Sequence, residues 1–212
     1  MLKVGLTGGI ASGKSVVGEM LVALGAHLVQ ADHIAHQLML PGQPVYNEVV
    51  SHFGGSILNP DLSVNRAKLA EAAFGSAKPE ESRIQELNRI VHPAVIRIQD
   101  EWMEEIGRQN PNAVAIVEAA LILEAGAAKR FDRLIVVTSN DDQRIARFAA
   151  RHKLDLEAAR KEVERRMAAQ LPEAEKIEAA NFVIDNSGSL EHTQEQVRQI
   201  WEKLRSEAIT KP

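Results

Sequence analysis

The chain contains no cysteine. Disulfides, thiolate metal sites and a thiol nucleophile are therefore excluded, and the absence fits a reducing compartment. It also lacks an excess of basic charge: 25 Lys and Arg against 29 Asp and Glu give a formal net charge of -4. No broad positive field exists to drive counterion-release binding, so nucleic acid is a poor first expectation as a partner. No stretch approaches the roughly 20 apolar residues needed to span a bilayer, and Leu2-Lys3-Val4 reads as the opening of a strand rather than as part of a signal peptide. Internal repeats and low-complexity tracts are missing as well. The expectation is a soluble, cytoplasmic protein with neither a membrane nor a nucleic-acid partner. Its 212 residues can bury the core of one main domain and carry an inserted lobe.

What is present is an alternation of short apolar runs with helical segments. β-Branched or apolar runs stand at 4–6, 27–30, 114–117 and 134–137, with a fifth at 182–184. Strands separated by helices predict parallel pairing, and the crossovers supply helices for both faces of the sheet. The predicted fold class is α/β, with a five-stranded parallel sheet in a three-layer arrangement. The interval between the second and third runs is about 80 residues by this spacing, too long for one crossover. It is punctuated by Pro41-Gly42-Gln43-Pro44, Gly54-Gly55 and Asn59-Pro60, and then reads as helix over 66–74 and 80–108. This interval predicts an inserted, mainly helical lobe over about 41–111. A smaller excursion at about 141–170 carries helices at 141–150 and 156–170, and an amphipathic helix at 191–207 closes the chain. The core is then about 1–40, 112–140 and 171–212.

The chemistry concentrates at the first strand-to-helix junction. Gly8, the four residues 9–12 and Gly13-Lys14-Ser15 complete G-x-x-x-x-G-K-[ST] in the strand, loop and helix order the motif needs. Gly8, Gly9 and Gly13 let a loop bring its backbone close to phosphate oxygens, and the N-terminus of the following helix adds to the positive field. Lys14 can carry charge to the outer phosphates, and Ser15 can offer a hydroxyl to the magnesium ion that accompanies ATP. The bland alternative is a glycine-rich turn that only joins strand to helix.

Phosphoryl transfer also needs an acceptor and its helper groups. Asp32 follows the second strand, at the sheet end where ligands gather in open α/β folds, and suits a base for an acceptor hydroxyl. It equally suits an N-cap for the helix beginning around His33. Glu118 ends the third strand and is either a magnesium ligand or an exposed strand-end charge. Arg144, Arg147 and Arg151 share one helical face, with Arg165 and Arg166 on the next helix; they form a closing lid or a solvated face. His92, next to Pro93, is either a packing residue or one aimed at the crevice by a proline-set boundary or kink.

Together these residues resemble the dephospho-CoA kinases. The resemblance runs through Gly5-Leu6-Thr7-Gly8-Gly9-Ile10-Ala11-Ser12-Gly13-Lys14-Ser15, Ala31-Asp32-His33-Ile34-Ala35-His36, and Asn65-Arg66 with Leu69 and Phe74. It continues through Leu87-Asn88 with His92-Pro93, Leu121-Ile122-Leu123-Glu124, Arg147-Phe148-Ala149-Ala150-Arg151, Gln170, Lys176 and Phe182-Val183-Ile184-Asp185-Asn186-Ser187-Gly188. Order and spacing agree over nearly the whole chain.

The resemblance implies a P-loop kinase fold with core, CoA-binding lobe and lid, using Mg2+ with ATP as co-substrate and dephospho-CoA as acceptor. It implies Asp32 as catalytic base, residues Ala11, Ser12, Gly13, Lys14, Ser15 and Val16 as the ATP-binding segment, and Arg147 and Arg151 as lid arginines. Arg66 and His92 fall in the part similar to the CoA-binding lobe. Asn186 falls where relatives of this fold bring backbone near the adenine.

Three positions depart from the family's pattern. Ala11 replaces a glycine, which the loop tolerates provided that residue keeps a negative φ. Ala120 stands where a proline often sits, and His152-Lys153 replaces a common Asp-Gly. A nucleoside or nucleoside-monophosphate kinase would share the loop, lid and lobe, and is the alternative function. A guanine-reading switch is disfavoured, because its Asn-Lys-x-Asp segment is absent from Val137-Thr138-Ser139-Asn140-Asp141.

Overall fold

A strand that pairs on both edges and is covered on both faces must be apolar nearly throughout. That describes β1 (Leu2–Gly8), where only Lys3 escapes full burial. The computed structural model describes residues 1–74 and 82–211. In it β1 lies between β3 (Val114–Glu118) and β4 (Arg133–Thr138), parallel to both. With β2 (His27–Gln30) and β5 (Phe182–Asp185) on the flanks, the order is β2-β3-β1-β4-β5. The register sets Leu6 opposite Glu118 and Gly8 opposite Val137. The loop that leaves Gly8 therefore starts beside the carboxyl ends of β3 and β4.

The chain divides into two compact units, Met1–Val29 with Met103–Pro212, and Gln30–Trp102. In the first unit, α1 (Lys14–Ala23) and α9 (Leu190–Thr210) cover one sheet face. Val17 and Leu21 of α1 meet Val197, Ile200 and Leu204 of α9 over Val4, Leu6, Ile116, Ile135, Val137 and Ile184. A separate cluster of Ile122, Leu134 and Val136, with Phe131 and Ala180 against it, lies beside Gly5. The turn after β3 does not depend on the proline absent at Ala120. It is closed by Ala125 N–H to Leu121 O at 3.0 Å, Gly126 N–H to Leu123 O and Ala127 N–H to Ile122 O, both at 2.9 Å.

The helices of the second unit are α2 (Ala31–Leu38), α3 (Pro44–Phe53), α4 (Arg66–Phe74) and most of α5 (Ile84–Gln109); the unit runs from Gln30 to Trp102, whereas the sequence reading put the lobe at about 41–111. Helix α3 is an addition to the sequence reading. Pro44, counted there as punctuation, is the first helical residue, where its missing N–H costs nothing. Val45, Val49 and Phe53 supply the buried stripe. The expected start of the long helix at Glu80 lies outside the described residues. Pro93 sits inside α5 and does not end it, so of the boundary or kink left open there the boundary is excluded and the helix read across 80–108 continues through it.

After β4 come α6 (Asp141–His152), capped by Asn140, α7 (Leu156–Ala168), capped by Asp155, and a short α8 (Glu173–Ala179) that the sequence reading missed. Ile145, Phe148 and Ala149 of α6 pack with Ala159 and Val163 of α7, and Ile10 and Ala11 of the first loop rest against this cluster. Helix α6 ends on Lys153 at φ 55 and ψ 43, the left-handed cap that glycine normally fills. Because a side chain in that region costs about 1 kcal/mol, Lys153→Gly should raise the thermal midpoint by roughly 2–4 °C, and Lys153→Val should lower it, in a calorimetric scan.

Candidate active site

The loop between β1 and α1 is held by contacts that leave no room for larger residues. At Gly8, with φ +153, a Cβ would stand 2.3 Å from the Val137 carbonyl oxygen. At Gly13, with φ +97, it would stand 2.1 Å from Asn186 Nδ2. Gly13 also begins α1 without any side-chain cap, so the amides of the first turn face no protein oxygen of that kind. Lys14 folds back over the loop and donates to Gly8 O at 3.0 Å and Gly9 O at 3.1 Å. Ser12 is fully buried, and among the described residues its hydroxyl oxygen finds no hydrogen-bond partner.

Ala11 overturns one expectation. Its φ is +53, not negative, so the residue standing at the family's usual glycine accepts the left-handed conformation with its methyl. That methyl packs on the α6–α7 cluster, contact that a glycine would forgo.

Three arginines expected to share one face meet three different fates. Arg144 is 1% exposed; its Nε donates to Ser139 O at 2.6 Å, Nη2 pairs with Glu173, and Nη1 lies against Gly9. It anchors the loop from behind and is not free to close over anything. Arg147 is half-buried and donates to Ser12 O at 3.3 Å, Ser139 Oγ at 3.0 Å and Asn186 O at 2.9 Å. All three acceptors are neutral, and among the described residues no carboxylate pairs with it. Burial, and then the charge of Arg144 beside it, pulls its guanidinium below the ordinary value. An arriving anion would relieve both. Arg151 is exposed in the last turn of α6.

Ser15 Oγ donates to Glu118 Oε1 at 2.8 Å. Glu118 is 8% exposed, so it is not the exposed strand-end charge that the sequence left open. A hydroxyl and a carboxylate are hard oxygen donors, and two such groups suit a magnesium ion that takes its remaining ligands from phosphate and water. Asn186, after β5, reaches the loop with its side chain: Nδ2 donates to Ser12 O at 2.9 Å.

The other expected residues belong to the Gln30–Trp102 unit. Asp32 is exposed in the first turn of α2, whose N-cap is Gln30, so Asp32 does not take the capping role. Arg66 is exposed at the start of α4. His92 is half-buried within α5, and burial holds its imidazole below its usual value.

Against known proteins, residues 2–192 match the family model for dephospho-CoA kinase. The chain belongs to the dephospho-CoA kinase family. The dephospho-CoA kinase of Geobacter metallireducens is 41% identical over 203 residues, 96% of each chain. That of Moorella thermoacetica is 38% identical over 212 residues, 100% of this chain and 96% of the other. The structure of dephospho-CoA kinase from Campylobacter jejuni, 25% identical, matches with a TM-score of 0.67 and covers 96% of this chain and 97% of that one. The α/β sheet described above is accordingly that of a P-loop kinase.

Within this dephospho-CoA kinase family chain, sequence reasoning missed a buried cluster. Lys176 is 2% exposed and pairs with Glu124 Oε1 at 2.8 Å and Gln170 Oε1 at 3.1 Å, while Leu171 N–H donates to the same Glu124 oxygen. All three side chains stand in the stretches that carry the resemblance, which was the available signal. Arg165 and Arg166 are instead absorbed by Glu162, at 2.7 and 2.6 Å. The Arg165 hydrogen bond, with help from Arg166 and against the opposing effect of burial, holds the Glu162 carboxyl at about 2. A depressed carboxyl stabilises the fold above its unfolded value of 4.5 and loses that contribution as pH falls through about 2. NMR titration should place Glu162 near 2, and Arg165→Ala should move it back toward 4.5.

Proposed function

We propose that this chain transfers the γ-phosphoryl group of ATP to the ribose 3′-hydroxyl of dephospho-CoA, giving coenzyme A and ADP, the last step of coenzyme A synthesis. The observation that carries the reading is the Gly8–Ser15 loop, with Lys14 folded over it and Arg147, bound only to neutral acceptors among the described residues, beside it, in a chain matched to that family over residues 2–192.

In this reading the loop amides and Lys14 hold the triphosphate, and Gly9, Ser12 and Val16 line the same cradle. Ser15 and Glu118 would hold magnesium, which would supply charge neutralisation for the phosphates. Asp32 accepts the proton of the 3′-hydroxyl as its oxygen attacks phosphorus in line, and the bond to the β-bridging oxygen breaks to release ADP. Arg147 leaves its neutral acceptors to meet the charge on the equatorial oxygens, with Arg151 following from the same helix. The segment 141–170 is the lid, and it closes over the phosphates through Arg147 rather than by moving as a body. The lobe at 41–111 receives dephospho-CoA, with Arg66 and His92 as its polar contacts, and the backbone at Asn186 borders the adenine. A cysteine-free chain fits work in the cytoplasm, with no call for nucleic acid or a membrane.

The test is a steady-state assay with ATP and a panel of acceptors: dephospho-CoA, nucleosides and nucleoside monophosphates. Only dephospho-CoA should be consumed quickly. Asp32→Asn should lower turnover at least a hundredfold, about 3 kcal/mol in the barrier, while ATP affinity stays near that of the parent chain. Turnover close to the parent's would remove Asp32 from the mechanism, and rapid use of a nucleoside would replace the acceptor.

A further inference from the structure

We propose that Asn186, oriented by Thr193, is a positioning residue for the phosphate loop; this rests on the nucleotide-binding reading given above. Asn186 is 5% exposed and every polar atom it owns is engaged. Its N–H donates to Thr138 O at 2.9 Å, its carbonyl accepts from Arg147 Nη2 at 2.9 Å, and its Nδ2 donates to Ser12 O at 2.9 Å. Its Oδ1 accepts from the Thr193 hydroxyl at 3.0 Å.

The sense of this relay follows from the donors available. A primary amide has nearly the same shape both ways round, so only hydrogen bonding decides which end faces the loop. Ser12 O can only accept. The amide must therefore turn its NH2 to Ser12 and its oxygen to Thr193. The single hydroxyl proton of the fully buried Thr193 then goes to Asn186, and not to the more distant Ser189 O at 3.3 Å. Removing that proton leaves the amide oxygen buried without a donor and weakens the preference that points NH2 at the loop.

Ser12 O has a second donor in Arg147, at 3.3 Å against 2.9 Å for Asn186. When Arg147 departs for phosphate, the shorter bond remains, and the loop keeps its shape through the step. The amide also fills the space beside Gly13, where a Cβ would come within 2.1 Å of Nδ2. Asn186 thus fixes the peptide immediately before the first turn of α1, the turn whose amides meet the phosphates. It touches no reacting atom by this route; it acts through Ser12 and Gly13.

The experiment uses the full chain and compares Thr193→Val, Thr193→Ser and, as a control for lost stability alone, Val197→Ala in the buried core of α9. ATP binding with magnesium is measured by calorimetry, steady-state KM is measured for each substrate, and thermal midpoints are recorded. Thr193→Val should raise Kd and KM for ATP about three- to tenfold, the range a lost buried hydrogen bond supports, with KM for dephospho-CoA unchanged. Thr193→Ser, which keeps the hydroxyl, should restore both. Val197→Ala should lower the midpoint and leave ATP binding as in the parent. Parent-like ATP binding in Thr193→Val, or an equal weakening in Val197→Ala, overturns the proposal. Failure of the parent chain itself to bind ATP defeats the nucleotide reading instead. If Thr193→Val does not fold, Thr193→Ala carries the same readout.

Discussion

The phosphate loop is pressed on three sides by groups closer than any side chain would permit, and the rest of the first unit is arranged around that fit. Val137 O stands behind Gly8, the Arg144 guanidinium behind Gly9 and the Asn186 amide behind Gly13. Each belongs to a different piece of chain: the end of β4, helix α6, and the turn after β5. The sheet order makes this possible, since β1 lies between β3 and β4 and delivers the loop where those strands end. A loop of this kind pays its conformational entropy once, on folding, and can meet a ligand without reorganising.

The charges follow from the same packing. A chain with net charge -4 nevertheless gathers Lys14, Arg144 and Arg147 at one loop. Their states differ because their partners differ. Arg144 is neutralised by Glu173 and shut away from solvent, so its energetic part is structural: a buried guanidinium needs a carboxylate. Arg147 donates its hydrogen bonds to neutral oxygens, and among the described residues no carboxylate pairs with it. Its lowered basicity and its suitability for an incoming anion have one cause, the burial of a cation beside another cation. Spacing along a helix does not separate these two roles, because the difference lies in what stands opposite each side chain.

This divides what could be read from the sequence from what could not. The strands were legible because parallel strands covered on both faces need apolar, β-branched runs, and a stretch as short as 114–117 keeps that signature. The loop motif was legible for a similar reason: its glycines answer a steric demand that few residues can meet. Helix α3 was missed because Pro44 served as its first residue while reading as a breaker, though Val45, Val49 and Phe53 already carried the stripe. The pairings of Arg144 with Glu173 and of Lys176 with Glu124 span 29 and 52 positions, the latter by subtraction of 124 from 176. Nothing local marks such partners, and only the folded chain brings them together. Asn186 was expected near the site through its backbone, but its side chain makes the closer connection.

Ala11 and Lys153 share a feature that bears on how far the α6–α7 excursion can move. Both adopt positive φ, a region that glycine favours, and each accepts a local cost of about 1 kcal/mol. At Lys153 the side chain is exposed and offsets none of it by packing. At Ala11 the methyl, with Ile10, rests on the cluster formed by Ile145, Phe148, Ala149, Ala159 and Val163. The phosphate loop and the hydrophobic core of the excursion are therefore one packed body at this point. A rigid swing of α6 and α7 would have to strip Ile10 and Ala11 from that core and pull Arg144 away from Ser139 and Glu173. Arg144 is 1% exposed, so taking its carboxylate away would leave a buried guanidinium uncompensated, a larger loss than a side-chain rearrangement requires. Closure over a bound phosphate is accordingly cheapest through Arg147, which gives up only three bonds to neutral acceptors and gains a charged one.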